Sequence, residues 1–285
     1  MYKMIFVSDD GRKFVFGPEN SNVFDADIGN GVSVNLGTSQ GFSQIGETLE
    51  SKTIQGRTIK VSGCFYGENI QHKKSEMRRV LNPLARGKLV FEDYEIRVNV
   101  KSSPTFSPVL HNGRFSFQLF APYPFFKSAK KSTVTIGDVK PMFKFPVNYA
   151  NPHKFGEIND EKYVNVINDG DVPVPFEIYI KNEVNDHPVE NVTLVNLMTF
   201  KRLTISGSLG IGETVHIYRD DNGVLHAETE LNGETTDIIS RITEDSELFE
   251  LGVGDNLIGV DVDEKLYVRL MYNPAVVNVY ESKPL

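Results

Sequence analysis

The segment Arg57-Thr58-Ile59-Lys60-Val61-Ser62-Gly63 decides the fold class, because polar and apolar side chains alternate along it. The same alternation occurs over residues 95–101 and over residues 114–119. A period of two places one set of side chains on a buried face of a sheet and the other set on a wet face. Gly, Pro, Asn and Asp clusters separate these segments, as is typical of turns. The first half of the chain is therefore predicted to consist mainly of half-buried strands.

One segment, residues 70–81, is predicted to be a helix. Asn69 precedes it, and its side chain can cap the free N–H groups of the first turn. The Asn82-Pro83 pair ends the helix, because a proline disfavours helical geometry at the residue before it. The apolar residues fall near one stripe of the helix and are Ile70, Met77, Val80 and Leu81, followed by Leu84.

The other faces of this helix are predicted to carry four cations, which are Lys73, Lys74, Arg78 and Arg79. Lys74 and Arg78 are like charges one helical turn apart, and such a pair mildly opposes an isolated helix. A partner surface that binds the cations would explain this pattern, and so would a solvated helix face. The four residues are our candidates for a partner interface.

Proline density and charge both predict a domain boundary near residue 135. The prolines Pro122, Pro124, Pro141, Pro146 and Pro152 indicate turns, sheet edges or an extended connector. Residues 1–135 contain 18 basic and 12 acidic side chains, whereas residues 136–285 contain 12 and 26. A net charge of +6 is thus followed by one of −14, which suggests two domains with different surroundings. We expect an N-terminal β domain with one helix over 1–135 and a C-terminal β-sandwich over 136–285.

The second half is predicted to be all β. Residues 175–181 and 214–219 alternate cleanly, and residues 164–168, 224–227, 266–270 and 276–280 also read as strands. The segment Asp220-Asp221-Asn222-Gly223 between two of them is a strong hairpin signal. Many short strands with regular turn signals are typical of a β-sandwich.

Length and composition narrow the protein class. The chain has 285 residues, 40% hydrophobic and 24% charged, and a net charge of −8, which together indicate a globular protein with room for one or two cores. No segment has the length of a membrane span, and the N-terminus has too short an apolar stretch for a signal peptide. Cys64 is the only cysteine, which excludes an internal disulfide and a multi-cysteine metal site. Because it follows an alternating strand, it is expected to be a buried or half-buried thiol.

The sequence contains no complete motif for nucleophilic catalysis or for phosphate binding. Ser208 lacks the first glycine of a Gly-x-Ser-x-Gly turn, because Ser206 stands in its place. The segment around Gly87 lacks the glycine spacing and the hydroxyl of a P-loop. Leu257 replaces the third glycine of a Gly-x-Gly-x-x-Gly motif that would begin at Gly252, so a simple turn is expected there.

Metal sites are weakly indicated. His216 and His226 lie on opposite arms of one predicted hairpin but not directly opposite each other. Asp261, Asp263 and Glu264 lack the spacing and glycine of an EF-hand, so turn carboxylates are expected. The sequence therefore predicts no catalytic site, no cofactor and no metal, and favours a structural or assembly protein over an enzyme. Neither half is basic enough to indicate nucleic-acid binding.

The order of the segments resembles the distal tail protein family of siphophages. The quoted strand at 57–63, the helix, Leu81-Asn82-Pro83-Leu84 and a hairpin over 88–98 match that family in order, and an aromatic and proline-rich strand over 115–126 follows. In the second half, the matching segments are the Asn-x-Gly-Asp-type entry at 165–176 and the turns at 212–218 and 251–258. The similarity covers nearly the whole chain.

The resemblance implies a fold and a role. Family members have a ring-forming N-terminal β domain with one helix and a galectin-like or carbohydrate-binding-module-like β-sandwich. The resemblance implies a hexameric ring at the distal end of the tail of a phage or prophage with a Gram-positive host. Its expected partners are other copies of the chain, the tail tube protein, the tail-tip protein and receptor-binding proteins, with neither nucleic acid nor membrane. We expect assembly in the host cytoplasm and a final place in the virion.

Two further readings of the sequence stay open. One is a carbohydrate-binding protein that uses the second domain. The missing tryptophan counts against it, since sugars stack best on tryptophan, although eleven tyrosines could substitute. The other is a glycoside hydrolase, which needs two carboxylates at catalytic separation. For ring assembly, the strands at 57–63 and 95–101 would offer pairing edges if isolated.

Overall fold

The structure is a computed structural model, and it describes residues 3–17, 21–26, 28, 31–108, 113–137, 139–141, 156–158, 162–183, 185–220, 223–262 and 264–279. The chain divides into two compact units. Unit 1 comprises Met1–Lys130 together with Ala275–Leu285, and unit 2 comprises Lys131–Pro274. The protein is mainly β with one α-helix among the described residues.

Unit 1 is built from antiparallel strands and the helix. Its elements before residue 130 are β1 (Met4–Ser8), β2 (Lys13–Phe16), β3 (Ser21–Ala26), β4 (Val34–Ser39), β5 (Thr48–Ile54), β6 (Arg57–Phe65), α1 (Ile70–Val80), β7 (Arg86–Phe91), β8 (Tyr94–Phe106), β9 (Arg114–Ala121) and β10 (Phe126–Ser128). Seven strands form one sheet in the order β2-β1-β7-β8-β9-β6-β3, and β10 pairs with β8. β4 and β5 form a separate two-stranded hairpin.

Alternation sorts the side chains of this sheet onto two faces. In β6, β8 and β9, every second residue of the paired stretch is buried, so the predicted half-buried strands are confirmed. Phenylalanines dominate the buried face. The ring centroids of Phe16 and Phe117 lie 5.5 Å apart, and those of Phe65 and Phe115 lie 4.8 Å apart. Aromatic packing of this kind adds to the free energy gained by burial.

The two edge strands of the sheet, β2 and β3, follow each other in the chain and contact each other. β2 ends at Phe16 and β3 begins at Ser21, whose N–H donates to the carbonyl oxygen of Gly17 at 2.9 Å. The strands over 57–63 and 95–101 therefore lie inside the sheet, since β6 pairs with β3 and β9, and β8 pairs with β7 and β9. The suggestion that these two strands provide the pairing edges is wrong, because the edges are β2 and β3.

The predicted helix is confirmed over Ile70–Val80. It lies against the buried side of the sheet, with Met77 and Val80 in the core and Leu81 buried directly after the last turn. These three residues belong to the predicted apolar stripe. They join the same hydrophobic cluster as the strand phenylalanines, so the helix closes one side of the core of unit 1.

Two details of the helix prediction are wrong. Asn69 occupies the position before the first turn, but its side chain makes no capping hydrogen bond and its backbone is left-handed, with a φ of 61°. Leu84 is 90% exposed rather than part of the stripe. It lies in the turn that follows the helix, where its N–H donates to Oδ1 of Asn82 at 2.9 Å, so the helical periodicity no longer applies.

Unit 2 contains only strands and one 3₁₀ turn among its described residues. The elements are β11 (Ser132–Ile136), β12 (Val139–Pro141), β13 (Gly156–Ile158), β14 (Tyr163–Asn168), β15 (Phe176–Lys181), β16 (Val189–Asn196), β17 (Arg202–Leu209), β18 (Thr214–Arg219), β19 (Leu225–Leu231), β20 (Glu234–Asp237), the 3₁₀ turn Ile239–Arg241, β21 (Gly254–Asp261) and β22 (Tyr267–Tyr272). One sheet has the order β11-β22-β15-β18-β19-β20, a second has the order β14-β21-β16-β17, and β12 pairs with β13.

Each of the two larger sheets of unit 2 buries one face, as in a β-sandwich. Ile178, Ile217 and Leu270 are buried in the six-stranded sheet, and Leu194 and Ile258 are buried in the four-stranded sheet. The predicted strands over 164–168, 175–181 and 214–219 correspond to β14, β15 and β18. Apart from the 3₁₀ turn, the regular elements described in the second half are therefore strands, as predicted, but the predicted strand over 276–280 is wrong, because the strand there comprises only Ala275–Val276.

Buried asparagines hold the turns of unit 2 that carry the family resemblance. Asn168 is fully buried, and its side chain donates to the carbonyl oxygen of Val172 and accepts from the N–H of Gly170. Asn256 accepts from the N–H of Gly252 at 2.8 Å and donates to the same residue's carbonyl oxygen at 2.8 Å. These side chains satisfy backbone groups that the turns would otherwise leave unpaired.

The predicted hairpin joins β18 and β19. Gly223 has a left-handed φ of 81°, and its N–H donates to the carbonyl oxygen of Asp220 at 2.9 Å. Oδ1 of Asp220 accepts from the N–H of Val224 at 2.8 Å. Asp221 and Asn222 lie outside the described residues.

The chain returns to unit 1 after unit 2. β23 (Ala275–Val276) pairs with β10, and Val279 joins the core of unit 1. The expected domains 1–135 and 136–285 stay a prediction, and the compact units divide at Lys131 and place 275–285 with unit 1. The difference arises because β23 pairs with β10 and Val279 packs in the core of unit 1, and the composition of the C-terminus does not reveal these contacts. Pro146 and Pro152 of the predicted boundary zone lie outside the described residues.

Candidate assembly surfaces

The hairpin of β4 and β5 is the most exposed structured part of unit 1. Thirteen residues form its two strands, and none of them is buried. It leaves the sheet after β3 and returns at Gly56, directly before β6. A Cβ at Gly56 would lie 2.9 Å from the carbonyl oxygen of Ala121, so glycine permits the close approach to β9 at this base. We call residues 34–54 the arm.

The two faces of the arm differ sharply in polarity. Val34 pairs with Ile54, Leu36 with Lys52 and Thr38 with Leu49, which puts these six side chains on one face. The paired residues of the opposite face are small and polar or glycine, namely Asn35, Gly37, Ser39, Thr48, Ser51 and Thr53, and Glu50 is the unpaired residue of a bulge. Leu36 is 58% exposed and Leu49 is 56% exposed, so the apolar face is not covered by the chain itself. A lone two-stranded hairpin is marginal in water, and an uncovered apolar face indicates a missing partner.

The tip of the arm is ordered by one glutamine. Oε1 of Gln44 accepts from the N–H of Gly41 at 2.9 Å, and its Nε2 donates to Oγ1 of Thr48 at 2.9 Å. This network leaves the side chains of Phe42 and Ile45 fully exposed. The tip therefore presents two large apolar groups on a locally fixed backbone, which lowers the entropy cost of binding through them.

Our sequence reasoning missed the arm. The signal was the alternation of Val32, Val34 and Leu36 with polar residues, which is the same pattern that identified β6. Alternation indicates which side chains share a face, but it does not reveal whether the chain itself covers that face.

The four predicted interface cations lie on α1 in unequal environments. Lys73 donates from Nζ to the carbonyl oxygen of Tyr66 at 2.9 Å. Arg78 lies over the ring of Phe106, with 4.8 Å between Cζ and the ring centroid. Lys74 also lies over this ring, at 5.9 Å, and its side chain is only 5% exposed, so its expected place on an open face is wrong. Its aliphatic stem packs as an apolar group while the ammonium contacts the ring.

Arg79 is exposed at the last turn of α1, where a cation is favourable for the helix dipole. The structure brings Lys74 and Arg78 together at one ring and leaves Lys73 and Arg79 apart from it. None of the four forms a salt bridge with a described carboxylate. Their role as a partner interface stays a proposal.

Unit 2 carries a strip of stacked rings on the outward face of its six-stranded sheet. Tyr179 stacks on His216 at 4.0 Å, His216 on Tyr218 at 4.4 Å, and Tyr218 on His226 at 5.0 Å between centroids. The interplanar angles are between 10° and 18°. The neighbouring rings therefore stack face to face. The two inner rings, His216 and Tyr218, have a ring on each side, so only their edges can contact a ligand.

His216 is the most enclosed member of the strip. Its Nε2 is buried without a hydrogen-bond partner among the described residues and lies 4.0 Å from Oε2 of Glu177. Burial lowers the pKa of His216, and the nearby carboxylates of Glu177 and Glu228 oppose that shift. Burial likewise raises the pKa of Tyr179. Burial therefore favours the neutral form of the imidazole between the two tyrosines.

The residues tested for chemistry occupy structural positions. Cys64 is half-buried, as expected. Gly87 is on β7, where a Cβ would lie 2.0 Å from the carbonyl oxygen of Val7, so it serves a close strand contact rather than a phosphate loop. His216 pairs across strands with Glu228, and His226 pairs with Tyr218, so the two histidines are not opposite each other, as predicted.

The remaining acidic and glycine motifs are also turns or surface contacts. Gly252 leads into β21 through the bonds from Asn256, as a simple turn would. Asp261 lies 3.9 Å from the guanidinium of Arg202, and Asp263 lies outside the described residues. No group of three or more metal-ligating side chains occurs in the described part of the chain. Among these same residues, no helix has the length and apolarity needed to cross a membrane.

Comparison with known proteins places this architecture. No protein-family profile matches the sequence, and no curated protein matches it. The crystal structure of the SPP1 Dit protein, described as a paradigm of the hub adsorption apparatus in phages infecting Gram-positive bacteria, is similar with a TM-score of 0.66 and 12% identity. The similarity covers 96% of this chain and 99% of the SPP1 protein.

Two structures of the phage P2 baseplate in its activated conformation are similar as well. The baseplate with Ca matches with a TM-score of 0.53 and 10% identity over 98% of this chain, and the baseplate with Sr matches with 0.53 and 11% over the same share. The matches cover 99% and 100% of those chains. The chain thus has, along nearly its whole length, the fold of the SPP1 Dit protein, which is the fold that the distal tail resemblance implied.

Proposed function

We propose that this protein is a distal tail hub protein of a phage or prophage with a Gram-positive host. The observation that carries the proposal is the similarity to the SPP1 Dit protein, which covers 96% of this chain and 99% of that protein. The identity is 12%, so the proposed role rests on the fold together with the uncovered arm. The protein acts as a structural component and not as an enzyme, without a cofactor.

In this proposal copies of unit 1 close into a ring, with six copies as in the family. The apolar face of the arm packs on unit 1 of the next copy, and Phe42 and Ile45 at the tip anchor it. Such an interface is head-to-tail, because the arm of one copy meets a different surface of its neighbour. A head-to-tail interface that closes leaves no unpaired end and therefore avoids open-ended aggregation.

The ring joins the tail tube protein to the tail-tip protein, and receptor-binding proteins attach to it at the end of the virion tail. The exposed cations Arg78 and Arg79, together with the half-buried Lys73, are the proposed contact for an acidic surface of one of these partners, whereas the buried Lys74 is not available to it. Cations on one helix without a described carboxylate partner favour an anionic surface, and the ring of Phe106 fixes Arg78. Exposed charges act over only about 8 Å at physiological ionic strength, so they orient a partner rather than supply most of the affinity.

Carbohydrate binding by unit 2 is the second candidate function. The ring strip offers aromatic groups beside carboxylates, which is a feature of sugar sites. However, His216 and Tyr218 have a stacked ring on each side, so these two inner rings do not form an open platform for a pyranose. The hub proposal is favoured for this reason, and binding of the full-length protein on a glycan array would reverse the order.

The arm gives a sharp test of ring assembly. Leu36→Asp with Leu49→Asp places two charges on the apolar face, and Asn35→Asp with Thr53→Asp places the same charges on the polar face of the same hairpin. Native mass spectrometry and electron microscopy across a concentration series should show rings for the wild type and the polar-face variant. The apolar-face variant should need at least a tenfold higher concentration to associate.

Two outcomes would contradict the proposal. Equal loss of rings in both variants would show that charge on the arm matters rather than apolar contact. A wild-type chain that stays monomeric and fails to bind tail-tube or tail-tip proteins would overturn the hub assignment itself. Native mass spectrometry of the wild type also reports the number of copies directly.

A further inference from the structure

The outward face of the sheet in unit 1 carries charge of almost one sign. On β1, β2, β6, β7, β8 and β9 the outward side chains include seven cations, which are Lys13, Lys60, Arg86, Lys88, Arg97, Lys101 and Arg114. The same positions of these six strands include one carboxylate, Glu95, which pairs with Lys88 at 2.7 Å. The modest charge of +6 for the first half is thus concentrated on one surface, which an average over sequence conceals.

Lys13, Lys60, Arg86 and Lys101 form no salt bridge with a described carboxylate. Arg97 contacts Asp9 at the end of β1 at 3.0 Å. Lys101 donates to the hydroxyl of Thr58 at 3.0 Å rather than to a carboxylate. Like charges at neighbouring sheet positions repel each other, so the face is poised for an anionic partner.

Neutral hydrogen-bonding groups fill the spaces between the cations. β8 is irregular where it passes β9, with register shifts between Val100 and Thr105. A depression of about 250 Å³ lies beside this irregular stretch, and it is lined by Lys60, Val61, Ser62, Ser102, Thr105, Ser116, Phe117 and Gln118. Lysine, serine, threonine and glutamine are the side chains that contact phosphate oxygens in protein–DNA complexes.

We propose that this cationic sheet face binds the phosphate backbone of double-stranded DNA without sequence preference. A phosphate group is seated in the depression beside Lys60, and Arg86, Arg97 and Lys101 contact neighbouring phosphates. Strands lie about 4.8 Å apart, so β7, β8, β9 and β6 together span about 15 to 20 Å, which matches the scale of a duplex. The proposal concerns a surface of unit 1 separate from the arm and does not depend on ring closure.

Two features favour duplex DNA over other anionic partners. Single-stranded binding uses exposed aromatic rings as stacking platforms. The one aromatic residue that lines the depression, Phe117, has its side chain buried in the core of unit 1 and offers no such platform. An acidic protein interface would need large apolar or aromatic anchors at its centre, whereas the centre here consists of hydroxyl, amide and ammonium groups. The cations of this face can neutralise phosphate charges, and the hydroxyl and amide groups can donate hydrogen bonds to phosphate oxygens. A regular polyanion such as DNA matches both properties better than a protein surface does.

The test measures binding of the full-length protein to a random-sequence 30-base-pair duplex by fluorescence anisotropy in a NaCl series. The variant Lys60→Gln with Arg86→Gln and Lys101→Gln removes three charges from the face. The control variant Lys201→Gln with Arg202→Gln and Arg219→Gln removes three exposed charges from unit 2. We expect the face variant to bind at least tenfold more weakly at 50 mM NaCl and the control to bind as the wild type does. The slope of log K against log salt should fall by about 3 in the face variant alone.

Three results would overturn the proposal. Absence of wild-type binding at 50 mM NaCl would do so, as would equal losses in the two triple variants, since binding would then follow net charge alone. Competition by polyglutamate as effective as competition by the duplex would instead assign the face to an acidic protein. Native mass spectrometry of the same samples separates this outcome from failure of the hub proposal, because the three face positions lie outside the arm.

Discussion

The arm and β6 are neighbours in the chain, with only Gln55 and Gly56 between them, yet they differ in what covers them. β6 has a strand on each side and buries every second residue in the core. Within the described part of the chain, the arm pairs with no strand beyond its own two, and both of its faces are exposed. The same local rule of alternation thus yields a core strand in one case and an assembly element in the other. The local pattern determines which side chains share one face of a strand. Whether that face is buried depends on the rest of the fold or on a second molecule.

The largest expected effect separates the stability of the core from the association of the arm. Leu119 is fully buried in β9, so Leu119→Ala should lower the free energy of unfolding by about 2 to 5 kcal/mol. Leu36 is exposed, so Leu36→Ala should change the unfolding free energy of the monomer by less than about 0.5 kcal/mol. Urea unfolding at dilute concentration measures both values, and native mass spectrometry measures association.

The same pair of variants can break the comparison. A loss of monomer stability in Leu36→Ala as large as in Leu119→Ala would mean that the arm packs on its own chain in solution. Association unchanged in Leu36→Ala, with unchanged stability, would mean that the apolar face of the arm has no partner among the other copies.

The sequence predicted the elements of the fold better than their surroundings. The strands at 57–63, 95–101 and 114–119 and the helix at 70–80 could be found because each leaves a period of 2 or 3.6 in the polarity of the chain. The sequence could not show that β6 and β8 lie inside the sheet, because pairing depends on strands far away in the chain. Leu84 was misplaced because a turn ends the helical periodicity before it. Lys74 lies four residues after Ile70 and three before Met77, so the periodicity itself places it on the buried stripe, and only its charge suggested an open face.

The candidate surfaces were predicted less completely. The helix cations were found because like charges one turn apart are visible in the sequence. The cationic sheet face was not found, because its members come from five strands and only their register brings them together. The return of 275–285 to unit 1 was missed as well, since β23 has only two residues and no periodic signal.

Arg57 provides the second test, because it is a polar residue at a position where alternation places buried side chains. It is 6% exposed, and its guanidinium donates to the carbonyl oxygen of Val277 and to Oδ1 of Asn278, both at 2.9 Å. The ring of Phe126 lies 5.2 Å below it. Hydrogen bonds from a charged donor contribute about 1.5 to 3 kcal/mol, so Arg57→Met should lower the unfolding free energy by about 3 kcal/mol.

Deletion of residues 275–285 should destabilise unit 1 at least as much as Arg57→Met, because it removes the same acceptors and the buried Val279. The double variant should be less destabilised than the sum of the two changes, since both act on one contact. Urea unfolding of the four proteins gives this cycle. Strict additivity would show that Arg57 does not hold the C-terminal segment in place.

The smallest effect concerns His216, whose outward side chain on unit 2 is covered by the neighbouring rings instead of by a core. Burial lowers its pKa below the ordinary value of 6.5, so the unfolded chain binds the proton at a higher pH than the folded chain does. The folded state therefore loses stability as the pH falls below about 6.5, and the loss ends below the lowered pKa. The slope from this one group is at most about 1.4 kcal/mol per pH unit.

His216→Gln should flatten the dependence of the unfolding free energy on pH between 7 and 5, whereas His226→Gln should leave the contribution of His216 in place. If the slope is unchanged in His216→Gln, the stacked rings admit water to His216. The rings would then leave this side chain as exposed as the arm is, instead of covering it as the core covers the buried residues of β6.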